Sequence, residues 1–191
     1  MAPLPEVPYV AVFCGSRSGA GDDYSALAAE VGRAIAAEGA GLVYGGGGIG
    51  LMGTLADAAL SAGAPVYGVI PEALSRRELA HTGLTRLEVV ATMHERKARM
   101  AAAACGFLVL PGGYGTLDEL FEVLTWKQLG LHDRPIVLLD AFGFFDPLVL
   151  TTVRIVEEGF APETAYYDVE RTAEAAVRRA LSAGPRRPPH G

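Results

Sequence analysis

Continuous apolar runs alternate along this chain with longer Ala- and Leu-rich stretches of helical period. Pro8–Cys14, Gly41–Tyr44, Pro65–Ile70, Leu87–Val90, Phe107–Leu110 and Pro135–Asp140 read as strands, with a short one at Tyr166–Asp168. Asp23–Glu38, Leu51–Ala62, Met93–Ala104, Thr116–Gly130, Asp146–Glu158 and Arg171–Ser182 read as helices, and a helical turn falls around Ser75–Ala80. Gly39 and Gly63 stand where the first two helices should stop. A strand that is apolar at every position is buried on both faces, and strands alternating with helices are joined by crossovers. The pattern therefore predicts an α/β fold, a doubly wound parallel sheet with helices on both faces, in a single domain. That domain is expected over residues 9–183, with an N-terminal extension at 1–8 and a disordered tail at 184–191. No internal repeat is visible.

Length and charge narrow the class of protein. A chain of 191 residues is one ordinary domain, long enough to bury a core without disulfide or metal staples. Its net charge of −6 argues against a nucleic-acid polymer or an acidic membrane surface as partner. Cys14 and Cys105 form no paired motif and read as small buried hydrophobes, which fits a reducing, cytoplasmic setting. The beginning Met1-Ala2-Pro3-Leu4-Pro5-Glu6 lacks the basic and apolar regions of a signal peptide. The longest apolar stretch, Met100–Leu110, is too short to span a bilayer, and the four histidines show no metal-ligand spacing.

Glycine changes the picture most. The 24 glycines are about 13% of the chain, against roughly 7% in average proteins. They cluster where strands end: Gly15 and Gly19 after the first, Gly45–Gly48 after the second, Gly112–Gly115 after the fifth. That rim is where doubly wound sheets bind ligands. Gly45, Gly47 and Gly50 satisfy the dinucleotide spacing G-x-G-x-x-G, with Glu72 placed to meet a ribose, or else form a tight turn for close packing. A Walker A loop is excluded, because Leu51 and Met52 follow Gly50.

The loop Pro111-Gly112-Gly113-Tyr114-Gly115-Thr116-Leu117-Asp118-Glu119 leads from a strand into a helix. Free N–H groups and the helix dipole at such a start favour an anion such as phosphate. Thr116 and Glu119 also match a T-x-x-E capping box, as do Ser75 with Glu78 and Thr92 with Glu95. Glu119 can therefore be a cap or a functional carboxylate. Glu95 and Arg99 form a favourable i,i+4 pair. Arg96 and Lys97 sit near a helix start, where cations oppose the dipole, and so call for a bound anion or a carboxylate partner.

Together these motifs resemble the Lonely Guy family of cytokinin riboside 5′-monophosphate phosphoribohydrolases, long labelled lysine decarboxylases. The family's PGGxGTxxE stands at Pro111–Glu119, its Arg-Lys pair between methionines at Met93–Met100, its GGGxxGLMG at Gly46–Gly53, and its CGS at Cys14–Ser16. The likeness covers about Tyr9 to Phe160 and departs at the proline-rich N-terminus and the tail. It implies a Rossmann-like homodimer that hydrolyses the N-glycosidic bond of an adenosine-type monophosphate, with no cofactor or metal. The catalytic pair carries over to Arg96 and Glu119. Substrate contacts carry over to Glu78, Arg96, Lys97, Gly112, Gly113, Tyr114, Gly115, Thr116, Glu119 and Thr125, with Gly46, Gly47 and Ser16 from the other two glycine motifs. A pyridoxal enzyme needs a lysine in a cofactor loop; the chain has only Lys97 and Lys127, both on expected helices.

On this reading the 5′-phosphate rests on the N–H groups of Gly113, Gly115 and Thr116. Glu119, one turn along, then reaches the anomeric carbon as electrostatic stabiliser, nucleophile or base. Arg96 either orients Glu119 or helps bind phosphate. The helix Thr116–Gly130 carries Leu117, Leu120, Phe121, Val123, Leu124, Trp126 and Leu129, too apolar all round for a surface helix. It is buried in the monomer or forms a subunit interface, and the resemblance favours the interface. The rival readings are a non-catalytic molybdenum-cofactor carrier of similar fold and a nicotinamide-dependent oxidoreductase built on Gly45–Gly50. The second leaves no room for a substrate domain.

Overall fold

The strand β1 (Tyr9–Phe13) lies near the middle of a parallel sheet, and the chain winds outward from it in both directions. In the computed structural model, residues 4–75, 80–162 and 166–182 are described. The first half contributes α1 (Asp22–Ala37), β2 (Gly41–Tyr44), α2 (Gly50–Ser61), β3 (Val66–Pro71), α3 (Glu72–Ser75), β4 (Arg86–Val90) and α4 (Met93–Ala103). The second contributes β5 (Gly106–Val109), α5 (Tyr114–Gln128), β6 (Ile136–Leu139), α6 (Asp146–Glu157), β7 (Asp168–Glu170) and α7 (Ala173–Leu181). The strand order is β4-β3-β2-β1-β5-β6-β7, and every neighbouring pair is parallel. This is the single-domain doubly wound sheet that the apolar pattern predicts.

The pleat divides the core. Val10 and Val12 of β1 face a cluster built with α1, α2 and α7, whereas Ala11 and Phe13 face one built with α4 and α5. All residues of β1, β2, β5 and β6 are buried, as strands covered on both faces must be. The edge strands β4 (RLEVV) and β7 (DVE) carry charge, which suits an edge that should not pair with another chain. Leu4 and Val7 of the N-terminal extension pack against the second cluster.

Some element boundaries differ from the sequence expectation. The fifth helix begins at Tyr114 rather than Thr116, and the last strand lies at Asp168–Glu170 rather than Tyr166–Asp168. Most of the turn expected around Ser75–Ala80 lies outside the described residues, at 76–79; the short helix α3 directly precedes them. Ser75, in α3, donates its hydroxyl to the Glu72 carbonyl; Glu78, its expected partner in a capping box, lies outside the described residues. Thr92 is a true N-cap: it accepts the Glu95 N–H at 3.1 Å, while Glu95 reaches back to the Ala91 N–H at 3.2 Å. Cys14 is buried as expected, but Cys105 is only half-buried. The tail 184–191 lies outside the described residues. Among those residues no helix is long and apolar enough to cross a membrane.

The sheet order places one point of divergence. From β1 the chain leaves to α1 on one face, and from the adjacent β5 it leaves to α5 on the other. Loops that part in this way open a crevice beyond the strand ends.

Candidate active site

A cleft of about 630 Å³ occupies that point of divergence. The loop after β1 forms one wall, the loop from β5 into α5 another, and Leu51 and Met52 of α2 the floor beside them. Arg96 and Glu119 also line it. The two loops touch closely: the Gly15 N–H donates to the Pro111 carbonyl at 3.2 Å.

The start of α5 opens into this cleft. Gly113 is its N-cap, no side chain caps it, and the first helical bond runs from the Leu117 N–H to the Gly113 carbonyl. The N–H groups of Tyr114, Gly115 and Thr116 therefore precede the helix's own ladder. Thr116 and Glu119 do not form the capping box that the sequence allows. Both lie inside the helix, and the Thr116 side chain folds over Gly112, where a Cβ would collide with its Oγ1. Gly113 and Gly115 are different: a Cβ on either would meet nothing, and neither has positive φ. Neither packing nor backbone conformation demands glycine there, and the space beside the backbone is open.

Arg96 and Glu119 form the charged base of the cleft. Each is only 7% exposed. Arg96 Nη2 stands 3.8 Å from Glu119 Oε1, its Nε donates to the Val69 carbonyl at 3.2 Å, and its Nη1 lies 3.7 Å from the Met93 sulfur. All three guanidinium nitrogens thus have a neighbour, which fixes the plane of the group. A buried pair of this kind is costly to assemble and is retained where orientation or charge is needed. The nearby Cys14 thiol is no competing nucleophile. Burial, reinforced by the Glu119 charge and opposed by Arg96, raises its pKa far above the usual thiol value.

The cleft brings together Ser16, Arg96, Gly112, Gly113, Tyr114, Gly115, Thr116 and Glu119 of the residues expected from sequence. Others lie elsewhere. Lys97 bridges α4 to α5 through Asp118 at 3.0 Å and Glu122 at 3.2 Å. Its carboxylate partner is thus internal. Thr125 donates to the Phe121 carbonyl and lines a separate apolar groove between α5 and α6. Gly46 and Gly47 pin their loop: their carbonyls accept the His81 N–H and the buried Tyr44 hydroxyl. Gly45 makes room for Arg96, since a Cβ there would collide with Nη2. The dinucleotide-like loop is therefore filled by the protein's own guanidinium, and Glu72 is exposed at the start of α3. Glu78 lies outside the described residues.

Sequence reasoning missed Arg17, Tyr24 and Phe144, which also line the cleft. Arg17 directly follows the Cys14-Gly15-Ser16 element at a strand end, a signal that was available. Tyr24 and Phe144 come from α1 and the loop after β6, and their meeting edge-to-face at 6.3 Å is a product of the sheet order. Neither lysine lines the cleft; Lys127 donates to the Arg134 carbonyl at 2.8 Å. No imine-forming lysine is thus placed to hold a pyridoxal group there.

Comparison with known proteins bears on this geometry. A family model described as "possible lysine decarboxylase" matches residues 52–179. A cytokinin riboside 5′-monophosphate phosphoribohydrolase of Rhodococcoides fascians is 52% identical over 157 residues, covering 82% of this chain and 79% of the relative. One of Arabidopsis thaliana is 46% identical over 156 residues, covering 82% and 73%. Among solved structures, the molybdenum cofactor carrier protein of Chlamydomonas reinhardtii is similar with a TM-score of 0.66 at 20% identity, covering 91% of this chain and 95% of the carrier. At that identity the likeness is one of fold.

Proposed function

The chain belongs to the Lonely Guy family, and on that premise we propose that it is a phosphoribohydrolase, cleaving the N-glycosidic bond of a purine nucleoside 5′-monophosphate. Cytokinin riboside 5′-monophosphates and AMP are the substrates in view, and free base and ribose 5-phosphate the products. The observation that carries the reading is the buried Arg96–Glu119 pair, one helical turn from the uncapped start of α5.

In this reading the 5′-phosphate rests on the N–H groups at the start of α5, where the dipole and the open space at Gly113 and Gly115 favour an anion. The ribose then lies over the first turn, with Glu119 facing its anomeric carbon. As the bond from that carbon to the base nitrogen breaks, positive charge develops on the sugar, and a fixed carboxylate stabilises it. Water supplies oxygen to the anomeric carbon and a proton to the departing base. Arg96 keeps Glu119 charged and aimed. Ser16 and Gly112 to Thr116 would contact substrate. Lys97 would act by bracing α5 against α4, and Gly46 and Gly47 by holding the loop that admits Arg96.

The oligomer proposed is a homodimer through α5 and α6. Leu150 is 71% exposed and Phe160 81%, and Phe121 and Val153 add to the patch. Contiguous apolar surface on a folded domain marks an association site. Thr125 lies in the groove of that face. Sedimentation should give twice the chain mass at micromolar concentration; a monomer alone would overturn the dimer. A cytoplasmic setting is proposed with it, on the unpaired cysteines.

The test of function is a panel of AMP, its N6-prenylated form, other purine and pyrimidine monophosphates, and the matching nucleosides. Free base and ribose 5-phosphate should appear from the purine monophosphates and scarcely from nucleosides. Binding of nucleotide or pterin phosphate with no base released from any of them would favour a non-catalytic carrier instead.

A further inference from the structure

We propose that Arg17 recognises the charge of the substrate's 5′-phosphate and so sets the preference for a nucleotide over a nucleoside. The inference rests on the nucleotide reading above and adds to it a residue outside the motifs that carried it.

Among the described residues, two guanidinium groups line the cleft. Arg96 is committed: each of its nitrogens has a protein neighbour, and Glu119 offsets its charge. Arg17 is exposed, and among the described residues no carboxylate stands within ion-pair reach of it. With Arg96 and Glu119 cancelling, Arg17 gives the described lining of the cleft its net positive charge. A chain of net charge −6 needs such a local charge to attract an anion.

The backbone beneath Arg17 is held from both sides. A Cβ on Gly15 would lie 2.9 Å from the Arg17 carbonyl and 3.4 Å from Gly112 Cα, so this segment lies against the loop entering α5. A Cβ on Gly50, the first residue of α2, would lie 2.7 Å from the Arg17 nitrogen. The main chain is thus fixed between α2 and the approach to α5, while the long side chain can turn towards the uncapped N–H groups of Tyr114, Gly115 and Thr116. A phosphate monoester carries about −1.5 to −2 charge at neutral pH. The helix start supplies neutral donors, and Arg17 supplies a full charge on a planar fork that matches phosphate oxygens.

The experiment compares wild type with Arg17→Ala and Arg17→Lys. Base release from AMP and from adenosine gives the nucleotide-to-nucleoside ratio of kcat/KM, and inorganic phosphate serves as competitive inhibitor. Arg17→Ala should lower the ratio about ten- to a hundredfold, chiefly through KM for AMP, and weaken phosphate inhibition similarly. Arg17→Lys should fall between, keeping the charge and losing the fork. An unchanged ratio with unchanged phosphate inhibition would overturn the proposal, as would an equal loss on both substrates.

Calorimetric titration of AMP separates this proposal from the functional reading. Weaker binding in Arg17→Ala would uphold Arg17 even if wild type released no base, and that failure would fall on the proposed function alone. Base release by wild type with unaltered AMP binding in Arg17→Ala would sink only Arg17. A wild type that neither binds AMP nor releases base would overturn both.

Discussion

Gly45 is glycine because Arg96 occupies the space its side chain would take. A Cβ on Gly45 would overlap the Nη2 atom of Arg96, and the Met52 sulfur would press on it from 3.1 Å. The residue comes from the loop after β2, whereas Arg96 comes from α4. The contact lets a buried guanidinium reach Glu119 under the floor of the cleft.

Gly45→Ala should therefore harm both stability and activity. Overpacking of this kind costs about 1–3 kcal/mol. Urea unfolding should show that loss, and base release from AMP should fall with it as Arg96 is pushed off Val69 and Glu119. Full stability and full activity in this variant would mean that Arg96 has another resting place.

Gly113→Ala should behave in the opposite way. Its Cβ meets nothing, and its φ of −93° suits alanine. Stability should stay within about 0.5 kcal/mol of wild type. KM for a nucleoside monophosphate should rise, because a methyl group now stands where the phosphate approaches the helix start. Unchanged KM would move the phosphate away from α5.

Glu119→Gln separates charge from shape. No capping box exists at the start of α5, so loss of activity in this variant cannot come from a lost cap. Removing the carboxylate's charge should lower kcat by about a hundredfold or more, the range for electrostatic stabilisers. Stability should fall too, by at most about 3–5 kcal/mol, because Arg96 stays buried without its counter-charge. A folded variant with undiminished turnover would remove Glu119 from the chemistry.

His132 predicts a dependence of stability on pH. Its Nε2 bonds to the Val123 carbonyl at 3.0 Å, and its Nδ1 accepts the Arg134 N–H at 3.2 Å, which fixes a neutral ring. Burial lowers its pKa first, the Val123 carbonyl and Asp133 oppose, and the cations Arg134 and Lys127 add to the lowering. As pH falls below the ordinary histidine value of about 6.5, the unfolded chain gains the proton before the folded one. Stability is thus full above that value and is lost as pH falls through the lowered folded pKa. Between about pH 7.5 and 5.5 the urea midpoint of wild type should drop more than that of His132→Gln. Parallel curves would show that His132 contributes nothing to the pH dependence.

Much of the fold was legible because buried strands and amphipathic helices have different periods. Val10–Phe13, Leu42–Tyr44 and Ile136–Leu139 are apolar without a break, and each proved to be an interior strand. The short polar edge strand was misplaced, because Asp168–Glu170 has no apolar signature and is defined only by pairing with β6. Of the candidate site, the loop into α5 and the pair Arg96 and Glu119 were identifiable from motifs. Arg17 was signalled only by its place after Cys14-Gly15-Ser16, and the contacts of Tyr24 and Phe144 with the same cleft carried no local signal.

The chain's own pattern determined an α/β domain, glycine loops at the strand ends, and the residue types able to hold an anionic nucleotide. Local sequence left Glu119 open between a capping role and a functional carboxylate, because spacing along a helix is the same for both. Only the sheet order excluded the cap. By setting β5 beside β1 and bringing α4 against α5, it placed Arg96 opposite Glu119 and left the start of α5 uncapped at a cleft. Such contacts join distant segments, and their geometry is fixed by packing rather than by neighbouring residues.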